Sequence, residues 1–159
     1  MGERATNLAK RYEGAVAELT ALIEESTDAQ WRAICKGEGW SFGVTGHHIA
    51  EDQDGLVNWF TAIVNAAPRP QSAETLDQRT ARHAAEHANC TKAETLDLLR
   101  AGTTRAARAV RALGDEQLDR SAPPAPDGRP GLTAGEVIDR ILIGHVTGHM
   151  ASMRAAIGL

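Results

Sequence analysis

The chain has only two cysteines in 159 residues, Cys35 and Cys90, and no C-x-x-C pair. A zinc knuckle or a dithiol redox pair is excluded, and both residues read as reduced, packed thiols. Aromatic residues are scarce, at 4% of the chain. No apolar stretch reaches the roughly 18 residues of a membrane span, and the opening MGERATNLAKRYEG has no signal-peptide core. A cytoplasmic protein without membrane contact is the expectation. A basic run is missing too: 17 Lys+Arg stand against 21 Asp+Glu, for a net charge of −4. That balance argues against nucleic acid or an anionic membrane as partner. β-Branched runs with period two are also absent, which argues against a sheet.

What is present is helical periodicity along nearly the whole chain, in a length that suits one domain over 1–159. Leu8, Tyr12, Ala15, Leu19 and Leu22 form one stripe over residues 3 to 26, ending before Ser26-Thr27-Asp28. A second helix is expected after Gly37-Glu38-Gly39-Trp40, with Ser41 as N-cap, running to about Ala66 before Pro68-Arg69-Pro70. A short helix is expected over 74–88. Thr91-Lys92-Ala93-Glu94 has the form of a capping box, and its helix runs to Gly114. Residues 121–131, SAPPAPDGRPG, form the most loop-like stretch, and a second capping box at Thr133 to Glu136 opens the last helix. The expected fold is therefore all-α, a four-helix bundle with an additional short helix and a long loop before the last helix.

Helical wheels sort the six histidines. On the second helix the apolar face runs through Thr45, Ile49, Leu56, Trp59, Phe60 and Ile63. His48 lies at its edge, and His47, about 100° away, is expected to face solvent. Asp52 falls inside that face, where an isolated carboxylate is costly, so it needs a partner. On the last helix the stripe Ile138, Leu142, His145, His149, Met153 puts both histidines near its centre, at the i, i+4 spacing that lets two imidazoles share one ion. Val146 and Thr147 rule out H-E-x-x-H. His83 and His87 repeat the i, i+4 spacing, but on what reads as a polar face. Three inward imidazoles carry nitrogens that need partners; one divalent ion satisfies them together, while a metal-free hydrogen-bonded network stays open as the alternative.

Trp40-Ser41 followed by His48-Ile49, together with His145-x-x-x-His149 on a C-terminal helix, resembles the DinB/YfiT-like superfamily of metal-binding four-helix bundles. That group includes the N-terminal domain of mycothiol-dependent maleylpyruvate isomerase. The resemblance extends over nearly the whole chain, including the Thr27-Asp28-Ala29-Gln30-Trp31 turn. It implies a three-histidine metal site at His48, His145 and His149, holding zinc or alternatively nickel, in a homodimer. It also implies chemistry on a low-molecular-weight thiol of the mycothiol or bacillithiol type. The sequence stops at Leu159, so no counterpart of the isomerase's additional domain is expected, and maleylpyruvate is not the expected substrate.

Three imidazoles on a tetrahedral ion leave a position open, as in catalytic rather than structural zinc sites. The expected function is accordingly a metal-dependent thiol S-transferase, in which a thiol attacks a small electrophile. Asp52 is the candidate catalytic residue, either orienting a ligand or taking a proton, unless it is held in a salt bridge to an arginine. Trp59, Phe60 and Met153 are candidate pocket residues. The alternative is a non-catalytic, stress-related bundle that binds a metal or small ligand.

Overall fold

The computed structural model describes residues 2–159, so Met1 of the expected domain lies outside the described residues. The elements are α1 (Glu3–Glu25), α2 (Asp28–Trp31), β1 (Ile34–Cys35), β2 (Trp40–Ser41), α3 (Phe42–Val64), α4 (Leu76–Glu86), α5 (Lys92–Arg111), α6 (Asp115–Leu118) and α7 (Ala134–Glu136). A π-helix over Val137–Ile143 then runs without a break into α8 (Gly144–Ala156).

Local sequence chemistry sets the helix starts. Ser41 Oγ accepts from the Val44 N–H, and Thr75, Thr91 and Thr133 each close a capping box with Gln78, Glu94 and Glu136. Each such cap satisfies donors that the first helical turn leaves unpaired. The four long helices pack around one core. α5 lies against α1 and α3, while α8 lies against α3 and α1. Long helices that follow one another in the chain, α1 and α3, thus stand on a diagonal of the bundle, and so do α5 and α8.

Leu19, Ile23, Ile49, Phe60, Leu99, Ile138 and Leu142 are among the fully buried side chains. One polar cluster is buried with them. Gln53 of α3 donates its amide to the Tyr12 hydroxyl of α1 and to Thr103 Oγ1 of α5. Burial pushes the Tyr12 hydroxyl up to about 12. Close approach here depends on Gly102, whose missing side chain leaves room for Gln53. The two thiols are free, and burial raises both above the ordinary thiol range, as befits packed rather than reactive groups.

Two elements depart from the expected pattern. The segment before α3 is a small antiparallel hairpin, with Ile34 opposite Ser41 and Cys35 opposite Trp40. Its turn is closed by the Gly39 N–H donating to the Cys35 carbonyl at 2.8 Å, with Gly39 in the left-handed region at φ 75°. Such two-residue strands are too short to leave an alternating signature. The second departure is the π-helix, whose wider turn shifts the phase of everything after it. The buried stripe of α8 is Val146, Met150 and Met153. His145 and His149 are half-buried beside that stripe rather than at its centre.

Candidate metal centre

His48 enters the site from the second turn of α3, buried and edge-on to Trp40 at 5.2 Å between ring centroids. His145 and His149 come from successive turns of α8, which packs against α3. The three side chains each offer a ring nitrogen, and these nitrogens all lie within 4.8 Å of one another. His48 Nε2 and His145 Nε2 are 3.0 Å apart.

The donor set fits a transition-metal ion. Burial, with the neighbouring imidazoles adding to it, pushes His48 down to about 3, and burial likewise pushes His145 down to about 4. Both rings are neutral at pH 7 and carry the lone pair that a metal ligand needs. Two facing Nε2 atoms can share only one hydrogen between them. In a tetrahedron of ligands about 2.05 Å from a zinc ion, neighbouring donors stand about 3.3 Å apart, close to the separation found here.

The third histidine has a partner that sequence reasoning missed. Glu38, in the turn of the β1–β2 hairpin, accepts from His149 Nδ1 at 2.7 Å, and its other oxygen accepts from Ser152 Oγ. Burial works to raise the Glu38 carboxyl, but the hydrogen bonds from Ser152 and His149 hold it below its ordinary value. An ionised carboxylate only accepts, so Nδ1 carries the proton and Nε2 is left free to ligate. This carboxylate–histidine relay is the usual means of fixing a ligand imidazole. No spacing rule could have found it, because Glu38 and His149 are 111 residues apart.

Asp52 stands one turn after His48. Its Oδ2 is 3.6 Å from His48 Nε2 and 3.7 Å from His145 Nε2. It therefore borders the same nitrogens that face one another, on the side opposite to an orienting partner such as Glu38. Burial raises its carboxyl. Arg79 acts on it only at a distance, and among the described residues no arginine forms an ion pair with it.

His48 and Asp52 open onto a cavity of about 380 Å³ that Trp59, Arg69, Arg79 and His83 also line. Of the three candidate pocket residues, Trp59 lines this space, with Arg69 stacked 3.6 Å over its ring. Phe60 and Met153 are fully buried in the core instead. Two other expectations are corrected. His47 is buried, not solvent-facing, and His83 is buried although its helix is otherwise polar. A single-helix wheel has no knowledge of α4, which covers this part of α3.

Among curated proteins, none matches this sequence. Two solved structures are similar to it. A mutant form of the mycothiol-dependent maleylpyruvate isomerase superposes with a TM-score of 0.72 at 13% identity, covering 94% of this chain and 60% of that one. The chain thus spans 60% of the isomerase's length. YfiT from Bacillus subtilis, described as a probable metal-dependent hydrolase with an unusual four-helix bundle topology, superposes with a TM-score of 0.72 at 17% identity, covering 99% and 90%. At these identities the likeness establishes the shared four-helix fold. A family model described as the DinB superfamily matches residues 11–153. The chain belongs to the DinB superfamily.

Proposed function

We propose that this protein is a metal-dependent enzyme that transfers a low-molecular-weight thiol to a small electrophile, with His48, His145 and His149 as the metal ligands. The observation that carries this reading is the convergence of three imidazoles, of which His48 lines a cavity and His149 is buttressed by Glu38. An all-imidazole set suits zinc first and nickel next. When bound, the ion supplies a Lewis acid at an open position, which lowers the pKa of a thiol placed there.

The chain's own groups supply the rest. Glu38 keeps His149 in the Nδ1–H tautomer, so that Nε2 faces inward. Asp52, whose Oδ2 lies against the inward face of the two Nε2 atoms, takes the thiol proton. Sulfur then adds to an electrophilic carbon–carbon double bond: the C–S bond forms as the π bond opens, and Asp52 returns the proton to the carbon that takes up the electron pair. Arg82 is committed to Glu74 and Glu86, and Arg69 to Trp59. Arg79 makes no ion pair among the described residues and lines the cavity, which favours an electrophile with an anionic substituent.

The test is conjugation of mycothiol, bacillithiol and simple thiols to a panel of electrophiles, with zinc-loaded protein, chelated protein and the His149→Ala variant. Activity in the first alone is the expected result. A loaded protein that accelerates none of these reactions is instead a binding module.

A further inference from the structure

α4 poses a packing problem. Its only buried residue is a histidine, His83, and its only large apolar side chain, Leu76, is 65% exposed. Helices in a bundle are held by an apolar stripe, and α4 has none. What it presents to α3 is His83 and, one turn later at its C-cap, His87.

α3 answers with a matching i, i+4 pair, His47 and Glu51. His47 Nδ1 lies 2.9 Å from His83 Nε2, Glu51 Oε2 lies 3.3 Å from the same Nε2, and Glu51 Oε1 lies 3.6 Å from His87 Nε2. The rings of His47 and His87 stack at 4.0 Å. One donor atom from each of the four residues falls within 4.8 Å of every other. These separations bracket the edge of about 3.3 Å between ligands on a tetrahedral zinc ion. Hydrogen bonding serves the cluster poorly. His47 Nδ1 and His83 Nε2 can share one hydrogen, but the 3.6 Å contact of Glu51 with His87 is too long for a hydrogen bond.

We propose that His47 and Glu51 of α3 with His83 and His87 of α4 form a second binding site for a divalent transition-metal cation, and that this cation fastens α4 to the bundle. Three imidazoles and a carboxylate favour a zinc-class ion over magnesium or calcium. Four protein donors leave no vacant position, so this site is structural in type. Both clusters draw on the same two turns of α3: His48 and Asp52 face α8, while His47 and Glu51, one residue earlier in each turn, face α4. Since α4 also carries His83 and Arg79 into the cavity wall, the cation would set the shape of that cavity.

The experiment is titration of zinc chloride into metal-free protein, followed by calorimetry, with amide hydrogen exchange read over residues 76–86. Parent protein is expected to bind two equivalents, with exchange in α4 slowing at least tenfold when this site fills. His87→Ala and Glu51→Gln, both at partly exposed positions and checked for folding by circular dichroism, should each bind one equivalent and lose the protection of α4. His149→Ala should also bind one equivalent but keep that protection. One equivalent in the parent, retained in His87→Ala and lost in His149→Ala, overturns this site and leaves the proposed enzyme intact. One equivalent retained in His149→Ala and lost in His87→Ala supports this site and removes the other. Two equivalents with unchanged exchange in α4 overturn the fastening role.

Discussion

Glu38 offers the sharpest test of how the three-histidine centre is built. Its carboxylate is 12% exposed and receives two hydrogen bonds, from His149 Nδ1 at 2.7 Å and from Ser152. Glu38→Gln keeps the shape and one acceptor oxygen but removes the charge, whereas Glu38→Ala removes the partner altogether. A hydrogen bond to a charged group contributes about 1.5–3 kcal/mol, and loss of such an outer partner typically weakens metal affinity by about 10- to 100-fold. We expect a drop in zinc affinity near the lower end for Gln and near the upper end for Ala. The assay is competition with a chromophoric chelator at fixed pH, with Ser152→Ala as a milder companion. In a His149→Ala background the same Glu38 changes should have no further effect, since they act through that ring. Affinity within twofold of the parent in Glu38→Ala, or an equal loss with and without His149, would refute the relay.

Three further outcomes are expected. Asp52→Asn should leave zinc bound and slow thiol conjugation by at least tenfold, flattening the pH–rate profile; unchanged turnover would remove Asp52 from the chemistry. Metal-free protein should lose stability as pH falls below 6.5, because His48 and His145 are held neutral to about 3 and about 4 in the fold while the unfolded chain takes up protons at ordinary values. At pH 5 each of these histidines costs about 2 kcal/mol, so the urea midpoint should drop between pH 7.5 and 5 and then level off near the folded values. An unchanged midpoint would contradict their burial. Gly102→Ala places a Cβ 2.9 Å from Gln53 Cδ, which forces the amide off Tyr12. That should cost about 1–3 kcal/mol and show as a lowered melting temperature.

Much of the architecture is legible in the sequence because it is set locally. Capping residues such as Thr91 and Thr133 act within one turn, and the leucine stripes repeat within one helix, so position along the chain is enough to read them. The i, i+4 spacing of His145 and His149 is equally local, and the phase of His48 on α3 follows from its apolar neighbours. The rest depends on which elements meet. Glu38 reaches His149 only because a hairpin too short to announce itself folds beside α8. The π-helix moves His145 and His149 to the flank of the core, where they meet His48 of α3, a shift invisible to a wheel drawn at 100° per residue. His47 and His83 are buried where α4 meets α3 and Trp40 packs on His83, and no periodicity in either helix carries that information. Short-range chemistry thus determined the helices and one face of the candidate metal centre, while contacts between distant segments decided which side chains turn toward one another.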